Sequence, residues 1–142
     1  MKQIAVREIM VTSVVTVGVD EAFSHVAEKM RIYGIRHLPV VNENKKLVGM
    51  ITQRDLLRTL SPKKTEDGFI YDKEQLDRFI LKHVMANDPV CVGPDDSIVR
   101  VVDIMARDKY GCVPVTTPDK TLLGIVTQID ILKSLSKWLQ EN

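Results

Sequence analysis

The chain repeats itself. Displaced by 75 positions, the segment from Met10 to Ser61 lies on the segment from Met85 to Ser136 without a gap, and 18 of the 52 aligned positions are identical. The matches include Met10/Met85, Gly18/Gly93, Asp20/Asp95, Met30/Met105, Pro39/Pro114, Gly49/Gly124, Thr52/Thr127 and Asp55/Asp130. Average residue frequencies would give about three identities by chance, so the two copies share one fold. A unit of about 50 residues buries too little apolar surface to stand alone. The copies are therefore expected to pack face to face on a common core, with pseudo-two-fold symmetry and clefts between them.

Residue patterning gives the unit its order. VVTV (Val14 to Val17) is a β-branched run ended by Gly18 and reads as a strand. Asp20 is the expected cap of a helix whose buried face is Phe23, Val26, Ala27 and Met30, with Gly34 as a left-handed stop. HLPVV and LVGMI, separated by the polar turn NENKK, predict a hairpin, and a second helix with Leu56, Leu57 and Leu60 follows from Thr52. Copy 2 repeats the series with VCV (Val90 to Val92), a helix carrying Ile98, Val101, Val102 and Met105, then VPV, LLGIV and a final helix from Thr127. The reading is an α/β protein of two tandem β-α-β-β-α repeats, 1–61 and 79–142, joined by a linker and the start of a connecting helix over 62–78. In that join SPKKTEDGF reads as polar linker, and YDKEQLDRFILKHV as a helix capped by Asp72 with Leu76, Phe79, Ile80 and Val84 inward. The last helix overhangs copy 1's, carrying Ile131, Leu132, Leu135, Trp138 and Leu139. Packing onto its own domain is the preferred reading of that stripe, and a partner surface the alternative.

Composition excludes several classes. Twenty basic and 19 acidic side chains give a net charge of +1, which supplies no field for nucleic acid or an anionic membrane. Charges in the first ten residues and only short apolar runs point to a cytoplasmic protein without a membrane span. Cys91 and Cys112 are too few for a disulfide framework or zinc site and read as reduced packing residues. His25 and His83 have no partners at ligand spacing, so no metal site is expected. None of GxxxxGK, GxGxxG or GxSxG is present, and no catalytic reading arises.

The motif that carries chemistry is Gly-x-Ile/Val-Thr-x-x-Asp, present as GMITQRD (Gly49 to Asp55) and GIVTQID (Gly124 to Asp130) where a strand gives way to a helix. Free N–H groups at a helix start hold anions or hydroxyls. The same Thr-x-x-Asp spacing also makes a capping box, and the motif alone leaves the two readings open.

Taken in order and twice over, the apolar-Pro-Val strand, this junction and the opening Met before a VxV strand resemble tandem cystathionine-β-synthase (CBS) domains. The resemblance spans nearly the whole chain. It implies a Bateman module that acts as a regulator or sensor by binding an adenosyl ligand (AMP, ADP, ATP or S-adenosylmethionine) in the clefts between copies, commonly as a homodimer acting on another protein. It assigns Asp55 and Asp130 to ribose hydroxyls, and Thr52 and Thr127 to ribose or phosphate oxygens. Thr16 and Val17, with Cys91 and Val92, would line the adenine pockets beside the strand prolines Pro39 and Pro114. Arg36 and His37 match a phosphate-binding position. There the copies differ: Arg36, His37 and Arg54 in copy 1 are Gly111, Cys112 and Ile129 in copy 2, so copy 1 is expected to take the more anionic ligand. The alternative for these arginines is a solvated surface, and the alternative for the whole chain is a ligand-free structural dimerisation scaffold.

Overall fold

The computed structural model describes residues 3–59 and 63–141; Leu60, Ser61 and Pro62, assigned above to a helix end and linker, lie outside the described residues. Copy 1 runs from β1 (Val17–Gly18) through α1 (Phe23–Tyr33), β2 (His37–Val41) and β3 (Leu47–Thr52) to α2 (Gln53–Thr59). The join then contributes β4 (Lys63–Thr65), β5 (Gly68–Ile70), α3 (Lys73–Leu76), α4 (Leu81–Val84) and β6 (Ala86–Asn87). Copy 2 follows with α5 (Ile98–Asp108), β7 (Cys112–Thr116), β8 (Leu122–Thr127) and α6 (Gln128–Glu141). This is the mixed α/β repeat read from the sequence.

The two compact units do not coincide with the two halves of the sequence. One runs from Val15 to Pro89; the other joins the leader that ends at Val14 to everything from Val90 onward. In the first, β1 lies parallel to β2, β2 antiparallel to β3, and β6 antiparallel to β3 with Met50 opposite Ala86. Its core holds Val17, Phe23, Val26, Leu38, Ile51 and Leu56, closed by Leu76, Leu81 and Met85 from the join. In the second, β7 pairs with β8, Val92 bridges Val115, and Val11 bridges Ile125. Its core joins Val6 of the leader to Val92, Val101, Met105, Val113, Val115 and Val126. Leader backbone bonds fix this: Val6 N–H donates to the Asp96 carbonyl at 2.9 Å and Ile98 N–H to the Ile4 carbonyl at 2.9 Å.

Two glycines of the repeat receive these leaders. A Cβ on Gly124 would stand 2.7 Å from the Val11 carbonyl oxygen and 3.2 Å from Met10 Sδ; a Cβ on Gly49 would strike Met85 Sδ. The matched pairs Met10/Met85 and Gly49/Gly124 are thus halves of one contact. Each methionine lies over the glycine of the other repeat, and no side chain fits between.

Several expectations are corrected. The first strands are shorter than VVTV and VCV: only Val17 and Gly18 form β1, and only a bridge at Val92 represents the second. Asp20 is exposed and does not cap α1, which begins after Ala22 without a side-chain cap. Glu21 instead accepts from Gly18 N–H at 2.5 Å, as Asp96 accepts from Gly93 N–H at 2.7 Å. The connecting helix is broken into α3 and α4, and most of the polar linker is a hairpin. Asp72 does cap α3, accepting from Glu74 N–H at 3.0 Å. The break arises because the chain is anchored at its middle: Asp77 accepts from Ser24 N–H at 3.1 Å, and the Phe79 ring lies 6.0 Å from Phe23. Ile80 is left extended and exposed. Val102, placed on the buried face of α5, is also exposed. The α6 stripe is only partly absorbed by its own domain: Ile131 packs against the copy 2 core and Trp138 is half-buried, but Leu132, Leu135 and Leu139 are 57%, 45% and 59% exposed.

Candidate functional site

Both Gly-x-Ile/Val-Thr-x-x-Asp motifs fold into the same junction. In copy 1, Thr52 N–H donates to Asp55 Oδ2 at 2.9 Å, Thr52 Oγ1 donates to the same oxygen at 3.1 Å, and Asp55 N–H donates back to Thr52 Oγ1 at 3.3 Å. In copy 2 the corresponding bonds are 2.8, 2.9 and 3.4 Å between Thr127 and Asp130. This is a reciprocal capping box. It occupies Oδ2 alone; among the described residues Oδ1 of neither aspartate takes a hydrogen bond. A carboxylate fixed at one oxygen and open at the other is a preoriented acceptor, so the cap and a hydroxyl-binding role are compatible.

The residue opposite each threonine differs. In copy 1 the β2–β3 register sets His37 across from Thr52; in copy 2 it sets Cys112 across from Thr127. Burial, reinforced by the positive charges of Arg36 and Arg54, holds the His37 imidazole below its ordinary value of 6.5. The three basic groups are therefore near enough to feel one another, with both guanidiniums exposed. Around Cys112 burial prevails, and with the Asp130 charge it pushes the thiol up to about 12, an inert protonated group. Arg36 also lines a cavity on the helical side of copy 1 that neither Thr52 nor Asp55 borders.

The first-strand residues divide by exposure. Val17 and Val92 are buried core, as are Pro39 and Pro114 of the neighbouring strands, so only backbone is on offer there. Thr16 and Cys91 are half-buried, and each meets a lysine that sequence reasoning missed. Lys29 Nζ donates to the Thr16 carbonyl at 2.7 Å, and Lys120 Nζ to Cys91 Sγ at 3.3 Å, where Thr116 Oγ1 also donates at 3.3 Å. A signal for Lys29 was present: it stands where copy 2 has the apolar Ile104.

Comparison with known proteins places these features in a family. The model of the CBS domain matches twice, over residues 6–62 and 81–137. The chain is 32% identical over 126 residues to an inosine-5'-monophosphate dehydrogenase of Methanocaldococcus jannaschii, a match covering 89% of this chain but only 22% of that enzyme. It is 30% identical over 142 residues to a CBS domain-containing protein of Dictyostelium discoideum, covering 97% of this chain and 95% of that protein. Among solved structures, the CBS domain pair of protein MJ0100, crystallised with 5'-methylthioadenosine and S-adenosyl-L-methionine, superposes with a TM-score of 0.79 at 23% identity, covering 96% of this chain and 98% of that one. At that identity the likeness is one of fold. The repeat, its strand-to-helix junctions and the twofold match of the family model lead to one conclusion: the chain belongs to the CBS domain family.

Proposed function

We propose that this protein is a regulatory module that binds an adenosyl ligand at the Asp55 junction and communicates its presence to another protein. The observation that carries this reading is the pair of capped aspartates, each with one carboxylate oxygen committed and the other open. The open oxygen accepts from a ribose hydroxyl, and the Thr52 hydroxyl and the backbone beside Thr16 complete the nucleoside contacts. Arg54 and His37, with the field of Arg36, favour phosphate in copy 1. The junction at Asp130 lacks that charge and suits a less anionic adenosyl group, or a weaker site. The complex of the MJ0100 pair with two adenosyl compounds supports the ligand class. Regulation follows if the ligand binds one of two conformations better, in the protein itself or in a homodimer of it.

The experiment is thermal unfolding with AMP, ADP, ATP, S-adenosylmethionine and GTP in turn, because a ligand that binds only the native state raises the midpoint. An adenosyl compound should give a selective rise that Asp55→Ala abolishes. That variant should otherwise stay folded, losing about 1 kcal/mol with the cap. A rise that survives Asp55→Ala removes the ligand from this junction. No rise with any compound, for protein verified free of bound nucleotide, leaves Thr52 and Asp55 as a cap in a dimerisation scaffold.

A further inference from the structure

In a part of copy 1 that its capped aspartate does not border, the repeat departs from copy 2 in a way the nucleotide reading uses only at Arg36. A cavity of about 300 Å³ lies between α1, the start of α2 and the β4–β5 hairpin. Met30 and Leu56, 6% and 1% exposed, give it an apolar floor. Arg31, Arg36 and Asp67 line its exposed mouth. Among the described residues none of these three side chains has an ion-pair partner. Tyr71 forms part of the wall, and its hydroxyl is buried without a hydrogen-bond partner.

The internal repeat separates what the fold needs from what is added. The floor is common to both copies, since Met30 and Leu56 correspond to Met105 and Ile131. The charges are not: Arg31 and Arg36 correspond to Ala106 and Gly111, and Asp67 and Tyr71 sit in the join, which has no counterpart after copy 2. Two guanidiniums, one carboxylate and an apolar floor in one cavity match a molecule with an anionic end, a cationic centre and an apolar body.

We propose that this cavity binds an α-amino acid with an apolar side chain. Its carboxylate meets Arg31 and Arg36, its ammonium meets Asp67, and its side chain lies against Met30 and Leu56. The proposal does not require the nucleotide reading, although Arg36 serves both.

The test is calorimetric titration of the full chain with L-leucine and L-phenylalanine, beside 4-methylpentanoate, which lacks the ammonium, and 3-methylbutylamine, which lacks the carboxylate. At least one amino acid should saturate a single site, with both truncated analogues weaker by about tenfold or more. Arg31→Ala and Asp67→Ala, both at exposed positions, should each weaken the amino acid by about the same factor. The proposal is overturned if neither amino acid binds at millimolar concentration, if 4-methylpentanoate binds as tightly as leucine, or if either substitution leaves the affinity unchanged in protein with a native melting transition.

Discussion

His37 is the residue of the proposed site whose charge responds to its surroundings. Its imidazole is held below 6.5 in the folded protein by burial and by Arg36 and Arg54, whereas the unfolded chain titrates near the ordinary value. Between those two values the unfolded state binds more protons. This group's contribution to stability is therefore complete above pH 6.5 and is lost as the pH falls toward the folded value. In the proposed site, an anionic phosphate beside the ring would reverse the balance by favouring the imidazolium. If the proposed site takes a phosphorylated nucleotide, its binding should accordingly take up a proton and tighten as the pH falls toward and below 6.5, and His37→Gln should flatten that dependence. Calorimetry in two buffers of different ionisation enthalpy reads the proton directly. The Thr52 and Asp55 pair was legible in the sequence because a cap is local, four residues long and repeated. The contacts of Lys29 and Lys120 were not, although Lys29 stands out against Ile104, since each acts on a residue 13 or 29 positions away that only the fold brings near.

At the scale of elements the two repeats serve as controls for each other. α1 ends on Gly34 at φ +61°, the left-handed stop its sequence announces; α5 ends on Lys109 at φ +59° in the same role. A side chain there costs about 1–2 kcal/mol. Lys109→Gly should therefore raise stability by roughly 0.5–1 kcal/mol after the greater freedom of glycine in the unfolded chain is counted, read as a higher melting midpoint. Where sequence reasoning held, it rested on patterns that packing reinforces: the Phe23, Val26 and Met30 face, the HLPVV and LVGMI strands, the Asp72 cap. Where it failed, a distant contact overrode a local preference. The run from Tyr71 to Val84 has helical periodicity, but Asp77 is held by Ser24 and Phe79 by Phe23, and these anchors break it. The α6 stripe shows the opposite limit. Its spacing was readable, but spacing alone does not say what covers it, and within this chain Leu132 and Leu139 remain more than half exposed.

At the scale of the molecule, the leaders matter most. Val6 completes the core around Val101, and Leu81 and Met85 complete the core around Val26, so each compact unit borrows the segment that precedes the other repeat's first strand. Cutting the chain in the turn between β4 and β5 should therefore yield two pieces that are unfolded alone and recover a cooperative melting transition when mixed. Circular dichroism of the pieces and of the mixture decides it, and a piece that melts cooperatively alone would show that its leader is dispensable. The exchange also bears on how such a chain could arise. A polypeptide carrying one repeat would expose a glycine groove with no strap and a strap with no groove. Two identical copies could satisfy both needs by trading leaders, so a partnership between molecules would precede the gene fusion that made it internal.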